Sequence, residues 1–330
     1  MKPTLLLVTI ASALLIILSS CGTSGTLTLD EVVRTPDERF IDIDGYRINY
    51  RDSGSPSGIA DYPVILLYHG FGGNLANFDQ VYPTLAREFR VIAFDRPPFG
   101  YSEKALKRDF ADYDPYRPEA QAALGIRLLE ELEIPSALLA GHSAGGLAAM
   151  LAADAFPNRV EGLLLISPAV LSGGGPPRAV TALFSLPLLR EIGVGIARSV
   201  FGNSQALLDQ AVYDSSAIDE ATLEAYRRGS EVRNWDRALW QFTLSSRSVD
   251  GEELAARLSP RVGSGELPVY IITGDSDEIV DPQDSLALHL LLPGSLFSAI
   301  PATGHVAFQE RPAEFLSLAL PWLLKTGGVR

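Results

Sequence analysis

The chain opens on a block of apolar residues and then changes rhythm several times. Leu5 to Leu18 is almost unbroken hydrophobic sequence, interrupted only by Thr9 and Ser12. Residues 22–37 are small and polar without periodicity, as a tether would be. Phe40 to Asp44 alternates apolar and polar, and Tyr46 to Tyr50 resumes after Asp44-Gly45, which predicts a β-hairpin. From Val64 onward the pattern is different. Val64–Tyr68, Val91–Phe94, Ala137–Ala140, Gly162–Ile166 and Val269–Ile272 are short continuous apolar runs, the signature of strands buried on both faces, and Leu296–Ile300 would be the last strand. Helical patterns such as Ala120–Glu133 and Ala144–Phe156 lie between them. Strand and helix in this alternation predict an α/β fold: a mostly parallel sheet flanked by helices. The alternation breaks between about Leu171 and Pro260, where Ser172-Gly173-Gly174-Gly175-Pro176-Pro177 is followed by helix-compatible sequence without a clear strand. A helical cap inserted between core strands is expected there, with Tyr226, Trp235, Trp240 and Phe242 available to line a cavity or fill the cap's own core.

Composition narrows this picture. A hydrophobic content of 47% with 20% charged residues excludes a disordered chain, and 330 residues suffice for one large domain with an insertion. A net charge of −13 without a basic cluster excludes nucleic acid as a partner. Lys2 before the Leu5–Leu18 run, which is shorter than the roughly 18–20 residues of a spanning helix, reads as a secretory signal over residues 1–20. Cys21 follows at once and is the only cysteine, so no internal disulfide can form. Leu18-Ser19-Ser20-Cys21 resembles the lipobox of bacterial lipoproteins, which implies cleavage before Cys21, lipid on its thiol and a membrane-anchored envelope protein. The alternative is ordinary secretion of a soluble chain.

The candidate chemistry centres on Gly141-His142-Ser143-Ala144-Gly145, a G-x-S-x-G string with an apolar strand before it and an alanine-rich helix after it. That context projects a serine hydroxyl above the sheet edge, with a helix N-terminus behind it. A serine nucleophile needs a base. Of the four histidines, His142 points away from its neighbour's hydroxyl, His289 sits in apolar helical sequence and His69 belongs to another loop. His305, on the loop after the last apolar run, remains. An acid to orient it is offered by Asp275 or Asp277, just after Val269–Ile272, and spacing does not separate the two. His69-Gly70-Phe71-Gly72-Gly73 follows Val64–Tyr68 and suits an oxyanion hole, with the N–H groups of Phe71 and Ala144 as donors and His69 as a brace.

These strings, in this order, resemble the α/β-hydrolases over Phe40 to Leu324, and more closely their capped serine hydrolases: esterases, lactonases and carbon–carbon bond hydrolases of ring-fission products. The resemblance favours Asp277, through a G-x-x-D pattern followed by an apolar pair and proline, in which Asp281 is an additional residue. Asp95-Arg96-Pro97-Pro98-Phe99-Gly100-Tyr101-Ser102 is similar to a D-x-P-G-F-G-x-S loop of that subgroup, with Pro98 in place of glycine. Relatives with an aspartate nucleophile are excluded by Ser143.

The expected organisation is a signal peptide (1–20), a lipidated tether (21–39), a hydrolase core (40–170 and 251–330) and a helical cap (171–250). The expected activity is cleavage of carboxylic esters with an apolar portion through an acyl-enzyme on Ser143, with no cofactor and no metal. Carbon–carbon bond hydrolysis is the alternative, and would need a cationic partner for a second carboxylate from Arg178, Arg190 or Arg233. A non-catalytic ligand-binding protein on the same scaffold is the rival from another class.

Overall fold

A computed structural model describes residues 25–55, 62–110, 113–172, 186–201, 204–246 and 248–328. The signal sequence, Cys21, Arg178 and the Gly/Pro stretch from Gly173 to Pro177 lie outside the described residues. Among the described residues no helix is long and apolar enough to cross a membrane.

Among the described residues the core is one eight-stranded sheet. Its strands are β1 (Glu38–Ile43), β2 (Tyr46–Asp52), β3 (Val64–Tyr68), β4 (Arg90–Phe94), β5 (Ala137–His142), β6 (Val160–Ile166), β7 (Val269–Gly274) and β8 (Leu296–Ile300). Their spatial order is β1-β2-β4-β3-β5-β6-β7-β8. β1 and β2 form the hairpin and join β4 antiparallel, while every later pairing is parallel. Asp44 and Gly45 both have positive φ (54° and 80°), the geometry of the two-residue turn that fits the twist of a hairpin.

The continuous apolar runs are explained by burial on both sides. Leu66, Leu139, Leu163 and Leu165 face one core with helices α1 (Pro118–Glu131) and α2 (Ala144–Ala155). Ile65, Leu67, Leu138 and Leu164 face the other, against a C-terminal helix over Pro312–Thr326. Alternate residues of one strand thus fill two cores, so no polar position interrupts it.

Between β6 and β7 the chain leaves the sheet, and its described residues there include the helices α3 (Pro187–Phe201), α4 (Ser204–Ala211), α5 (Glu220–Arg227) and α6 (Trp235–Ser245). It returns at α7 (Gly251–Gly263), where a Cβ on Gly251 would lie 2.2 Å from the carbonyl oxygen of Val170. Departure and return therefore touch, as an inserted cap requires. Inside the cap, Gly193 on α3 lets Trp240 of α6 approach so closely that a Cβ there would sit 2.0 Å from the indole. Trp240 packs against α3, Trp235 is buried near Tyr226, and of Tyr226, Trp235, Trp240 and Phe242 only Phe242 lines the large cavity described below.

One expectation changes at the N-terminus. From Gly25 the stretch read as a free tether is docked. Leu27 forms a parallel bridge with Val232 of the cap, through Leu27 N–H to Glu231 O (3.0 Å) and Arg233 N–H to Leu27 O (2.8 Å). Val32 is buried with Tyr101 and Val232. The polar composition of this segment hides three apolar anchors, Leu27, Leu29 and Val32, which lack the periodicity that would mark them.

Candidate active site

The C-terminal ends of β3, β5, β7 and β8 converge, and each delivers one expected group. Ser143 follows β5 with φ 53° and ψ −121°, a conformation few non-glycine residues adopt. The glycines around it are steric requirements. A Cβ on Gly141 would lie 2.4 Å from Gly145 O, and one on Gly145 would lie 2.2 Å from Tyr68 O. Ser143 N–H donates to Ile166 O (2.9 Å), which pins the elbow to β6. Ala144 begins α2, so its N–H belongs to the first turn, where no intrahelical acceptor exists.

The loop after β3 presses against this elbow. A Cβ on Gly70 would lie 3.2 Å from the Cβ of Ser143 and 2.8 Å from His142 Nδ1. His69 braces the loop: its Nε2 accepts from Arg96 N–H (2.9 Å), so its Nδ1 carries the proton and donates to Gly70 O (2.7 Å). Burial, with help from the neighbouring Arg96 charge, holds the His69 pKa well below the ordinary value, so it is neutral. Phe71, half-exposed, meets Phe99 edge-on and lies tilted against Phe242.

Asp277 rather than Asp275 meets the histidine. Asp277 Oδ2 lies 2.7 Å from His305 Nδ1, while its Oδ1 accepts from Ile279 N–H (2.8 Å) and Val280 N–H (2.9 Å). Burial opposes its charge, but the His305 hydrogen bond and these two amides outweigh it and keep its pKa below the usual carboxylate value. Asp275 is exposed and accepts from Ser276 Oγ. Asp281, the additional residue of the sequence pattern, caps the helix over Pro282–Leu291 by accepting from Gln283 N–H.

His305 is fixed from behind. Its N–H donates to Ala211 O of the cap (2.6 Å), and its carbonyl lies 3.0 Å from His142 Nε2. The buried His142 ring packs on that of His305 with centroids 4.6 Å apart, and burial followed by the His305 charge lowers its pKa to about 3. Among the described residues no hydrogen bond joins Ser143 Oγ to His305 Nε2. Such contacts are often loose without substrate. Glu310 completes the frame by accepting from Gly304 N–H (2.7 Å) and from the cap amides of Tyr213 and Asp214. Sequence reasoning missed His142 and Glu310 as positioning groups. His142 was legible only as a neighbour of Ser143, and Glu310 lies in helical sequence with no motif of its own.

A cavity of about 450 Å³ opens beside the elbow, lined by Phe71, Ala144, Leu147, Leu151, Tyr116 and Phe242, with Arg96 in its wall. Neither Arg190 nor Arg233 lines it. Arg190 is exposed beside Glu191, and Arg233 donates to Thr26 O at the surface. No group of three or more potential metal ligands occurs among the described residues. The arrangement can supply a hydroxyl nucleophile, an imidazole held in one tautomer by a carboxylate, and amides at a helix start and a glycine loop.

Comparison with known proteins agrees with this geometry. The model of the α/β-hydrolase fold family matches residues 63–312. The uncharacterized hydrolase YugF of Bacillus subtilis strain 168 is 30% identical over 280 residues, covering 84% of this chain and 94% of its own. The 2-hydroxymuconate semialdehyde hydrolase of Pseudomonas sp. strain CF600 is 29% identical over 283 residues, or 83% and 89% of the two chains. Among solved structures, the enol-lactonase from Burkholderia xenovorans LB400 superposes with a TM-score of 0.67 at 21% identity, over 86% of this chain and 99% of that one. The chain belongs to the α/β-hydrolase fold family.

Proposed function

We propose that this hydrolase works through Ser143 as nucleophile, His305 as base and Asp277 as the carboxylate that orients it, with the N–H groups of Phe71 and Ala144 as oxyanion donors. The observation that carries the reading is the 2.7 Å contact between Asp277 Oδ2 and His305 Nδ1, behind a serine held in a strained elbow. Ser143 Oγ adds to a carbonyl carbon and its proton passes to His305 Nε2. The tetrahedral intermediate collapses, the bond to the leaving group breaks, and that group takes the proton from His305. Water then repeats the sequence on the acyl-enzyme and releases an acid.

The bond cleaved is carbon–carbon in the favoured reading. The relative named for 2-hydroxymuconate semialdehyde supports a ring-fission product, in which an adjacent enone accepts the departing electron pair. Carboxylic ester cleavage is the second reading, supported by the apolar cavity wall and the structural likeness to an enol-lactonase. The test is a panel of p-nitrophenyl esters of increasing length beside a vinylogous 1,5-diketone. Ser143→Ala removes activity on both and abolishes fluorophosphonate labelling. Asp277→Asn costs about 10⁴ in kcat while Asp275→Asn changes little. A chain that neither labels nor hydrolyses either class is a binding protein instead. A large loss confined to Asp275→Asn reverses the assignment of the acid.

For location we propose export, cleavage before Cys21 and lipid on its thiol. Two acyl chains anchor a protein firmly where one does not. Fractionation of cells expressing wild type and Cys21→Ala tests this. A wild type found soluble, without lipid mass on its N-terminal peptide, leaves plain secretion.

A further inference from the structure

Arg96 is an anomalous charge among the described residues. It is 2% exposed and forms part of the wall of the 450 Å³ cavity. Among the described residues it has no ion-pair partner, and its Nε has no hydrogen-bond partner at all. Nη2 donates to His69 O (2.6 Å) and Nη1 to Gln121 Oε1 (3.3 Å), both uncharged acceptors. Burial pulls its pKa down to about 10, which is still protonated near neutrality. A buried, unpaired cation costs several kcal/mol, and bracing the His69 carbonyl needs only a neutral N–H. Every other polar side chain of the cavity is already satisfied within the fold. Gln121 Nε2 donates to Pro97 O and Pro115 O, Tyr116 OH to Ala105 O, Thr243 Oγ1 to Leu239 O and Ser246 Oγ to Phe242 O. The cavity therefore offers one unmet demand, for negative charge, in a wall that also contains Ala144.

We propose that Arg96 is a specificity-determining residue that pairs with a carboxylate on the substrate, so that the preferred substrate is an anionic acyl compound whose acid group lies deep in the apolar cavity while its scissile carbonyl reaches Ser143. This deepens the hydrolase reading and rests on it for the reacting bond alone; the anion site stands without turnover. A fork-shaped guanidinium matches a carboxylate, and the dry surroundings strengthen the pair.

The experiment compares two esters of matched length, p-nitrophenyl hydrogen glutarate and p-nitrophenyl valerate. Wild type favours the acidic ester in kcat/KM. Arg96→Gln lowers kcat/KM for the acidic ester about 100-fold or more, mainly through KM, and for valerate by less than about fivefold, while Arg96→Lys recovers part of the loss. An equal fall on both substrates in a folded variant overturns the proposal and makes Arg96 a brace of the His69 loop. Calorimetry of free glutarate with Ser143→Ala reads the site without catalysis, and needs no Arg96 variant to fold. Saturable binding there supports the proposal even if neither ester is cleaved, whereas glutarate binding no better than 1-pentanol refutes it.

Discussion

At the scale of single residues, the site depends on imidazoles kept neutral and a carboxylate kept charged. His142 is buried with its pKa lowered to about 3, while in the unfolded chain it would titrate near the ordinary 6.5. On acidification the unfolded state takes up this proton first. Stability therefore falls as the pH drops below the unfolded value and continues to fall until the folded pKa is reached. Asp277, held below its ordinary value, adds stability that is present above that value and is lost as the pH falls through its folded pKa. His142→Gln, which can still reach the His305 carbonyl, is expected to lose less stability than wild type between about pH 7 and about pH 5. Urea midpoints at the two pH values measure this, and equal losses would place the sensitivity elsewhere. Much at this scale was legible: Ser143, His305 and the Gly70 loop follow from strings whose geometry is local. Asp277 needed a family pattern, because two aspartates two residues apart share one loop. Arg96 reads in the sequence only as part of a loop, since nothing in a sequence reveals that a cation will lack a counter-charge.

At the scale of elements, the crossing of β3, β5 and α2 is set by close backbone contacts. Gly145→Ala would put a methyl group 2.2 Å from Tyr68 O and 2.6 Å from His69 O, two backbone atoms that cannot turn aside. A loss of about 3 kcal/mol is expected, read as a thermal midpoint several degrees lower. Gly263→Ala at the end of α7, whose nearest neighbour would be 3.6 Å away, is the control and should be neutral or slightly stabilising. Unchanged stability in Gly145→Ala would mean that the elbow relaxes freely. Strands β3 and β8 have the bounds that their apolar runs predict, because both ends are marked by a change to glycine, proline or polar residues. Helix α1 starts at Pro118, two residues before its apolar pattern, since proline suits the first helical position and carries no periodicity. The cap was visible as a missing rhythm, but the packing of α3 on α6 was not, because the Gly193–Trp240 contact joins residues 47 apart.

At the scale of the whole molecule, cap and sheet are held together by polar contacts as well as by Phe242. Arg228, between α5 and α6, pairs with Glu38 of β1 at 2.5 Å and lies over the Tyr101 ring. Glu38 is buried and also faces Arg51 and Asn49. Removing the cation in Arg228→Ala is expected to cost about 2–3 kcal/mol, less than a fully isolated buried pair because Arg51 remains. It should also speed proteolysis within the cap before the sheet is cut. The added substitution Glu38→Gln should restore most of the loss, and a double variant no better than the single one would show that this pair does not hold the cap.

The bridge between Leu27 and Val232 gives the molecule a mooring point, and it is on the cap. Leu27 lies six positions after Cys21, a reach of at most about 20 Å when fully drawn out. A lipid on Cys21 would therefore moor the enzyme by its lid, bringing the cap close to the bilayer and turning the far edge of the sheet outward. A tug on such a leash would travel first through two backbone hydrogen bonds into the segment that precedes α6, the helix carrying Phe242 over the cavity. Membrane attachment and access to the cavity would then share one mechanical linkage.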